Sequence, residues 1–126
     1  MGKRVVVVGA VALGPKVACR IKRIDPLADV LLLDKDDLIS YGGCGIPYYI
    51  GGDVDNMEAL RSTSAHVIRD NNYFQNVKGL RVMTRTKAIA IDRPNKKLKV
   101  RNLSDNKEEE IDYDKLVLAT GATPII

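Results

Sequence analysis

The chain has no tryptophan, one phenylalanine and one histidine, too few rings to build a base-stacking surface. Its charge excess is small, 20 Lys and Arg against 16 Asp and Glu, and it is scattered, which argues against nucleic acid as a partner. No apolar run nears the ~20 residues that span a bilayer, so no membrane partner is expected. The opening stretch MGKRVVVV enters a strand at once and carries no secretory cleavage pattern. Two cysteines, Cys19 and Cys44, are too few for a disulfide framework, and their scarcity points to a cytoplasmic protein. His66 stands alone and is assigned no role, and no metal site is expected. What remains is 126 residues, 45% apolar and 29% charged, an ordinary balance for one globular domain able to bury about two thirds of its unfolded surface.

Within that domain the pattern is strand, helix, strand. Arg4 to Val8 reads RVVVV, a continuous β-branched run suited to a strand covered on both faces. Gly9 breaks it. Gly14 then opens a helix with Pro15 in the first turn, where a missing N–H costs nothing. The helix carries Val17, Ala18, Ile21 and Ile24 on one side and ends near Asp25-Pro26. Val30 to Leu33 is a second buried strand, so the unit predicts a right-handed parallel crossover. Further on, Ala65 to Phe74 is expected to form a polar helix capped by Thr63 or Ser64. Leu80 to Arg85, Lys87 to Asp92, Lys97 to Arg101 and Glu109 to Asp112 read as short strands of an antiparallel β-meander over residues 80–112. Leu116 to Ala119 is expected as a last buried apolar strand. The fold class is therefore α/β, a Rossmann-like parallel sheet with helices plus a small meander. The stop at Ile126, with no helix after the last strand, is expected of a piece of something longer.

Three signals converge on the carboxyl edge of the sheet. The turn Gly9-Ala10-Val11-Ala12-Leu13-Gly14 departs from G-x-G-x-x-G because Val11 holds the middle glycine's place. Its first glycine allows a tight turn, its last allows close strand–helix packing, and the helix N-terminus offers free N–H groups to a pyrophosphate. The same glycines would also serve an ordinary strand-to-helix turn. Asp34 separates the two readings: it ends the second strand at the offset where an acidic side chain meets the ribose hydroxyls of a dinucleotide. Third, LVLATGATP runs a strand into Thr120-Gly121, where backbone can approach a ligand at the same edge.

Cys44 lies in SYGGCGIPYY, after the second strand. Gly42, Gly43 and Gly45 let main chain press against a flat surface without Cβ clashes. Ile46 and Pro47 read as the first turn of a short helix, whose dipole would favour a thiolate just ahead of it. A lone cysteine more often serves as a small buried hydrophobe; the glycines and the neighbouring crevice favour a reactive thiol. Cys19, mid-helix between Ala18 and Arg20, reads as inert packing.

With these residues in view, the sequence resembles the flavin-binding part of pyridine nucleotide–disulfide oxidoreductases. The opening turn, Asp34, SYGGCGIPYYIGG, TKAIAID and LVLATGATP carry the resemblance, which covers essentially the whole chain. It is closest in kind to the single-cysteine branch: coenzyme A–disulfide reductases, NADH oxidases and peroxidases, and persulfide reductases. Two-cysteine members place a second cysteine five residues from the first, and here those positions are Ile39 and Tyr49, which excludes an internal disulfide.

The resemblance implies that FAD contacts Gly9, Ala10, Val11, Gly14, Asp34, Lys35, Ala88, Thr120 and Gly121. It implies that NADH, or NADPH, reduces FAD, that electrons pass to the sulfur of Cys44, and that a thiolate leaves. Cys44 must then cycle against an external partner: a mixed disulfide with a small thiol such as coenzyme A, a persulfide, or a sulfenic acid formed with peroxide or oxygen. The positions that match coenzyme A contacts are Lys16, Arg20, Arg23, Ser40 and Gly43. Arg23 and Ser40 keep the family's residue, whereas Lys16, Arg20 and Gly43 differ in type from a reductase of that kind. Lys16, Arg20 and Arg23 fall on one helix face, where they either meet nucleotide phosphates or form a solvated basic face.

Family members continue with an NADH-binding domain, a second flavin segment and a dimerisation domain, so residues 1–126 are expected to be the N-terminal segment of the FAD-binding domain of a longer homodimeric enzyme. By itself the segment is expected to lack hydride transfer from NADH. Two other functions stay open at this level: an NADH oxidase or peroxidase that uses a cysteine sulfenic acid, and a nucleotide-binding or interaction module without turnover.

Overall fold

A computed structural model describes residues 2–125. β1 (Arg4–Val8) leads through the glycine turn into α1 (Leu13–Ile24) and returns as β2 (Asp29–Leu33). After a 3-10 turn at Gly43–Gly45 come α2 (Ile46–Ile50), a 3-10 stretch Met57–Arg61 and α3 (Asn71–Asn76). The strands β3 (Arg81–Met83), β4 (Thr86–Asp92), β5 (Lys97–Asn102), β6 (Glu108–Asp112) and β7 (Lys115–Leu118) complete the order. Four of them form a parallel sheet in the order β3-β2-β1-β7, and β4-β5-β6 form a separate antiparallel sheet. This is a Rossmann-like FAD-binding fold with a small meander.

The valine run explains the layering. Side chains alternate across a strand, and both faces of β1 and β2 are covered. Val5, Val7, Val30 and Leu32 pack with Ala18 of α1, Phe74 of α3, Ile39 and Leu80. Val6, Val8, Leu31 and Leu33 pack on the opposite face with Leu98 and Val100 of β5. Each of the Val, Leu, Ile and Phe side chains among them contributes on the order of 1.5–3 kcal/mol through burial. Helices thus cover one face of the parallel sheet and the meander covers the other.

Four expectations are corrected. The helix expected over 65–74 is confined to Asn71–Asn76, capped by Asp70, whose Oδ1 accepts from the Tyr73 N–H at 2.9 Å. The Thr63 hydroxyl instead accepts from Ala65 and Val67 in a turn, Ser62 bridges Ile68, and His66 takes a positive φ that no helix continues. The stretch Leu80 to Arg85 does not begin the meander. Leu80 is buried in the helical-side core, and β3 joins the parallel sheet beside β2. β7 is an edge strand rather than a buried one, bonded to β1 alone, with Leu118 59% exposed. Ile24, expected on the buried side of α1, is 68% exposed because it lies in the final turn.

Candidate functional site

The glycine turn is shaped by close approach of backbone. Gly9 has a φ of 109°, conformational space that glycine alone enters cheaply, and its N–H donates to the Leu33 carbonyl at 2.8 Å. A Cβ on Gly9 would overlap the Ala119 carbonyl, and one on Gly14 would overlap the Gly9 carbonyl. These two glycines therefore bring β1, β7 and the start of α1 together. No side chain caps α1, whose N-cap is Ala12, and its first turn holds no acid. The amides there keep their capacity for an anion.

Beside the turn lies a cleft of about 530 Å³, between the carboxyl ends of β1, β2 and β7 and the inner wall of the meander. Of the predicted cofactor residues it gathers Gly9, Asp34, Lys35, Ala88, Thr120 and Gly121. Ala10, Val11 and Gly14 do not line it. Ala10 is fully buried, and Gly14 is buried against the Gly9 carbonyl. The cleft also recruits residues that the sequence reading passed over: Thr86, Lys87, Ile89, Ile91, Leu98, Leu118 and Thr123. The alternation in TKAIAID carried a partial signal for β4. The pairing of β4 with β5 skips a residue between Ala88 and Ala90, so Ile89 is the extra residue of a bulge at the cleft wall.

Asp34 is fixed on every side. Its N–H donates to Met83 and its carbonyl accepts from Thr86, tying the end of β2 to the exit of β3 and the entry of β4. Its Oδ2 accepts from the Ala10 N–H at 2.7 Å and its Oδ1 from the Asp36 N–H at 2.9 Å. Each carboxylate oxygen has two lone pairs, so one on each remains for a hydroxyl.

The lining fits a dinucleotide. Ile89, Ile91 and Leu118 offer apolar surface for a base, Asp34 an acceptor for ribose, and Lys35 and Lys87 cations for phosphates. Gly121, at φ 72°, has nothing within 4 Å of where a Cβ would stand, so main chain is open to a ligand there.

Cys44 is exposed, in the 3-10 turn directly before α2, with Pro47 in the helix's first turn as expected. It does not line the cleft. The three glycines around it answer to different needs. A Cβ on Gly45 would strike the Leu60 side chain at 2.5 Å, and the Gly42 N–H donates to the Leu60 carbonyl at 2.7 Å. Only Gly43 meets open space, its nearest neighbour being the Tyr41 ring at 4.0 Å. Packing against the 57–61 segment, rather than a flat ligand, accounts for Gly45. The thiol segment is joined to the glycine turn through Ser40, whose N–H donates to the Ala10 carbonyl at 2.6 Å.

Lys16, Arg20 and Arg23 are all exposed on α1. Cys19 between them is half-buried against the helical-side core, and burial pushes its thiol up, opposed by the nearby charges of Lys78 and then Arg23. Lys78 is therefore near enough to Cys19 on α1 for its charge to act there, a residue the sequence reading missed because it follows α3 and approaches α1 only through the fold. Its Nζ also lies 5.8 Å from the centre of the Tyr73 ring. Among the described residues no helix is long and apolar enough to cross a membrane, and no cluster of three or more His, Cys, Asp or Glu side chains could hold a metal ion.

Taken together, the sheet order, the glycine turn and the cleft with Asp34 in its wall are those of a Rossmann-like FAD-binding fold. Comparison with known proteins narrows the class: the profile of the pyridine nucleotide-disulphide oxidoreductases matches residues 3–126, and the chain belongs to that family of FAD- and pyridine-nucleotide-dependent oxidoreductases. A coenzyme A disulfide reductase from Staphylococcus haemolyticus is 33% identical over 120 residues, which cover 95% of this chain and 26% of that protein. The structure of a NAD-dependent persulfide reductase from A. fulgidus superposes with a TM-score of 0.93 at 42% identity, over 97% of this chain and 22% of the other. A water-forming NADH oxidase from Lactobacillus brevis, bound to NADH, superposes with a TM-score of 0.87 at 29% identity, over 99% of this chain and 26% of the other. The chain thus spans about a quarter of the length of these relatives.

Proposed function

We propose that this chain is the N-terminal segment of the FAD-binding domain of a reductase in which Cys44 attacks the sulfur–sulfur bond of coenzyme A disulfide or a related persulfide. The observation that carries the reading is the hydrogen bond from Ser40 to Ala10, which ties an exposed, unpaired thiol segment to the turn of a dinucleotide cleft. In this reading Asp34 accepts from ribose, Lys35 and Lys87 neutralise phosphate, and the bulged wall of β4 takes the adenine end. FAD, when bound, supplies the two electrons that restore the Cys44 thiolate at the expense of NAD(P)H.

The sulfur chemistry belongs to the chain. The Cys44 thiolate forms a new S–S bond with one sulfur of the substrate while the old S–S bond breaks, and the other half departs as a thiolate. With Cys19 half-buried on α1 against the helical-side core and no cysteine next to Cys44 in the sequence, the mixed disulfide is left for external electrons to resolve. The exposed cations Lys16, Arg20 and Arg23 favour a substrate that carries phosphates, which oxygen and peroxide do not. The complete enzyme is read as a homodimer.

Incubation of the protein with FAD and then, separately, with coenzyme A disulfide, a persulfide donor or hydrogen peroxide tests this by intact-mass and peptide mass spectrometry. A retained flavin together with a coenzyme A or sulfur adduct on Cys44 is expected. A sulfenic acid on Cys44 with peroxide and no thiol adduct would favour the NADH oxidase or peroxidase alternative. A retained flavin with no adduct would leave a nucleotide-binding module without turnover, and neither flavin nor adduct an interaction module.

A further inference from the structure

Ser40 matched a coenzyme A contact in the sequence, yet it is only 6% exposed and adopts a φ of 52°. That left-handed conformation is costly for any residue with a Cβ and persists only where surrounding structure enforces it. Two anchors do so here. Ile39, fully buried among Val5, Val7 and Leu32, pins the chain immediately before the bend. The Ser40 N–H then donates to Ala10 at 2.6 Å. Ala10 is itself gripped from the other side, since its N–H donates to the Asp34 carboxylate at 2.7 Å. The consequence is a continuous strut: the cleft carboxylate, the main chain of Ala10, the Ser40 amide, and four residues later Cys44.

Resting on the reading of Cys44 as the working thiol, we propose that Ser40 is a positioning residue, whose left-handed bend seats the Cys44 segment on the glycine turn and couples it to occupancy of the cleft at Asp34. Any ligand that donates to the Asp34 carboxylate stiffens the Ala10 backbone. The Ser40 amide passes that ordering to the thiol segment, and by reciprocity a displaced thiol segment loosens the turn.

Amide hydrogen exchange of the 126-residue chain tests the strut without any cofactor. Ser40→Val, a β-branched residue poorly suited to the left-handed region, should accelerate exchange about tenfold in peptides covering both residues 9–14 and 39–45. Peptides from β5 should be unchanged. Ser40→Gly, which keeps the N–H and accepts the bend without a Cβ, should exchange no faster than wild type in both segments. Acceleration confined to 39–45, or a uniform acceleration that includes β5, would overturn the proposal. Should Ser40→Val fail to fold, Ser40→Ala replaces it, with about a threefold acceleration shared by both segments expected relative to Ser40→Gly.

A second readout adds FAD and follows alkylation of Cys44 by iodoacetamide, with Cys19 as internal reference. FAD should slow Cys44 labelling at least about threefold in the wild type and leave it unchanged in Ser40→Val, although flavin fluorescence reports binding to both. Equal protection in both proteins would overturn the coupling. Failure of FAD to bind the wild type would count against the proposed function alone, because the exchange experiment decides the strut by itself.

Discussion

Asp34 shows how much one side chain does in this fold, because both of its oxygens are engaged before any ligand arrives. Asp34→Asn leaves a single acceptor oxygen for the two amides of Ala10 and Asp36. We expect a loss of about 1–3 kcal/mol in urea denaturation and FAD affinity weakened about tenfold by fluorescence titration. Asp29 offers a contrast at the opposite end of the sheet. Hydrogen bonds from the Arg81 guanidinium, then from Arg4, hold its carboxyl below the usual carboxylate range. A depressed acid stabilises the fold above its ordinary pKa, and the gain disappears as pH falls through the lowered value. The pair is largely solvated, so Asp29→Asn should cost under about 1 kcal/mol at neutral pH. That difference should begin to shrink below about pH 4, checked by paired denaturation curves at pH 7 and 3. Asp34 was legible from its offset after Gly14. Ser40's bond to Ala10 was not, because the partner of a backbone amide is written in no side chain.

At the scale of elements, the parallel unit was readable because a valine strand, a glycine turn and an amphipathic helix each impose one local geometry. The region after α2 was not. Thr63 and Ser64 have the chemistry of a helix cap, yet Thr63 closes a turn and Asp70 caps the helix that forms. β3 was misassigned because a short alternating strand looks the same in either sheet, and only the burial of Leu80 under α3 commits it to the parallel one. The meander is attached to that sheet chiefly through Leu98 and Val100. Leu98→Ala should cost about 2–5 kcal/mol. Because the buried Leu98 backs the cleft wall, FAD affinity should fall with it, whereas Ile91→Ala on the half-exposed wall should weaken FAD with little change in the urea midpoint.

For the molecule as a whole, the cleft exists because the chain inserts β4 to β6 between the two outer strands of the parallel sheet and lays them over one face. The cost of that arrangement is an open edge at β7, where Leu118 stands largely exposed and backbone groups on the far side have no strand partner among the described residues. Such edges template pairing between chains. We expect concentration-dependent self-association by light scattering, reduced by Leu118→Lys and by saturating FAD; a monomer at all concentrations would contradict this.

The four consecutive valines of β1 have a further effect. A shift of the strand by one position would exchange the helix-facing and meander-facing sets, yet each set would still be two valines, so β1's own interior cannot tell the correct alignment from its neighbours. The distinction falls to the ends. Arg4 pairs with Asp29 and gives its amide to Asp114, while Gly9 alone accepts the bend that follows. Accuracy of assembly in this domain therefore resides in the two bookends of its most uniform segment.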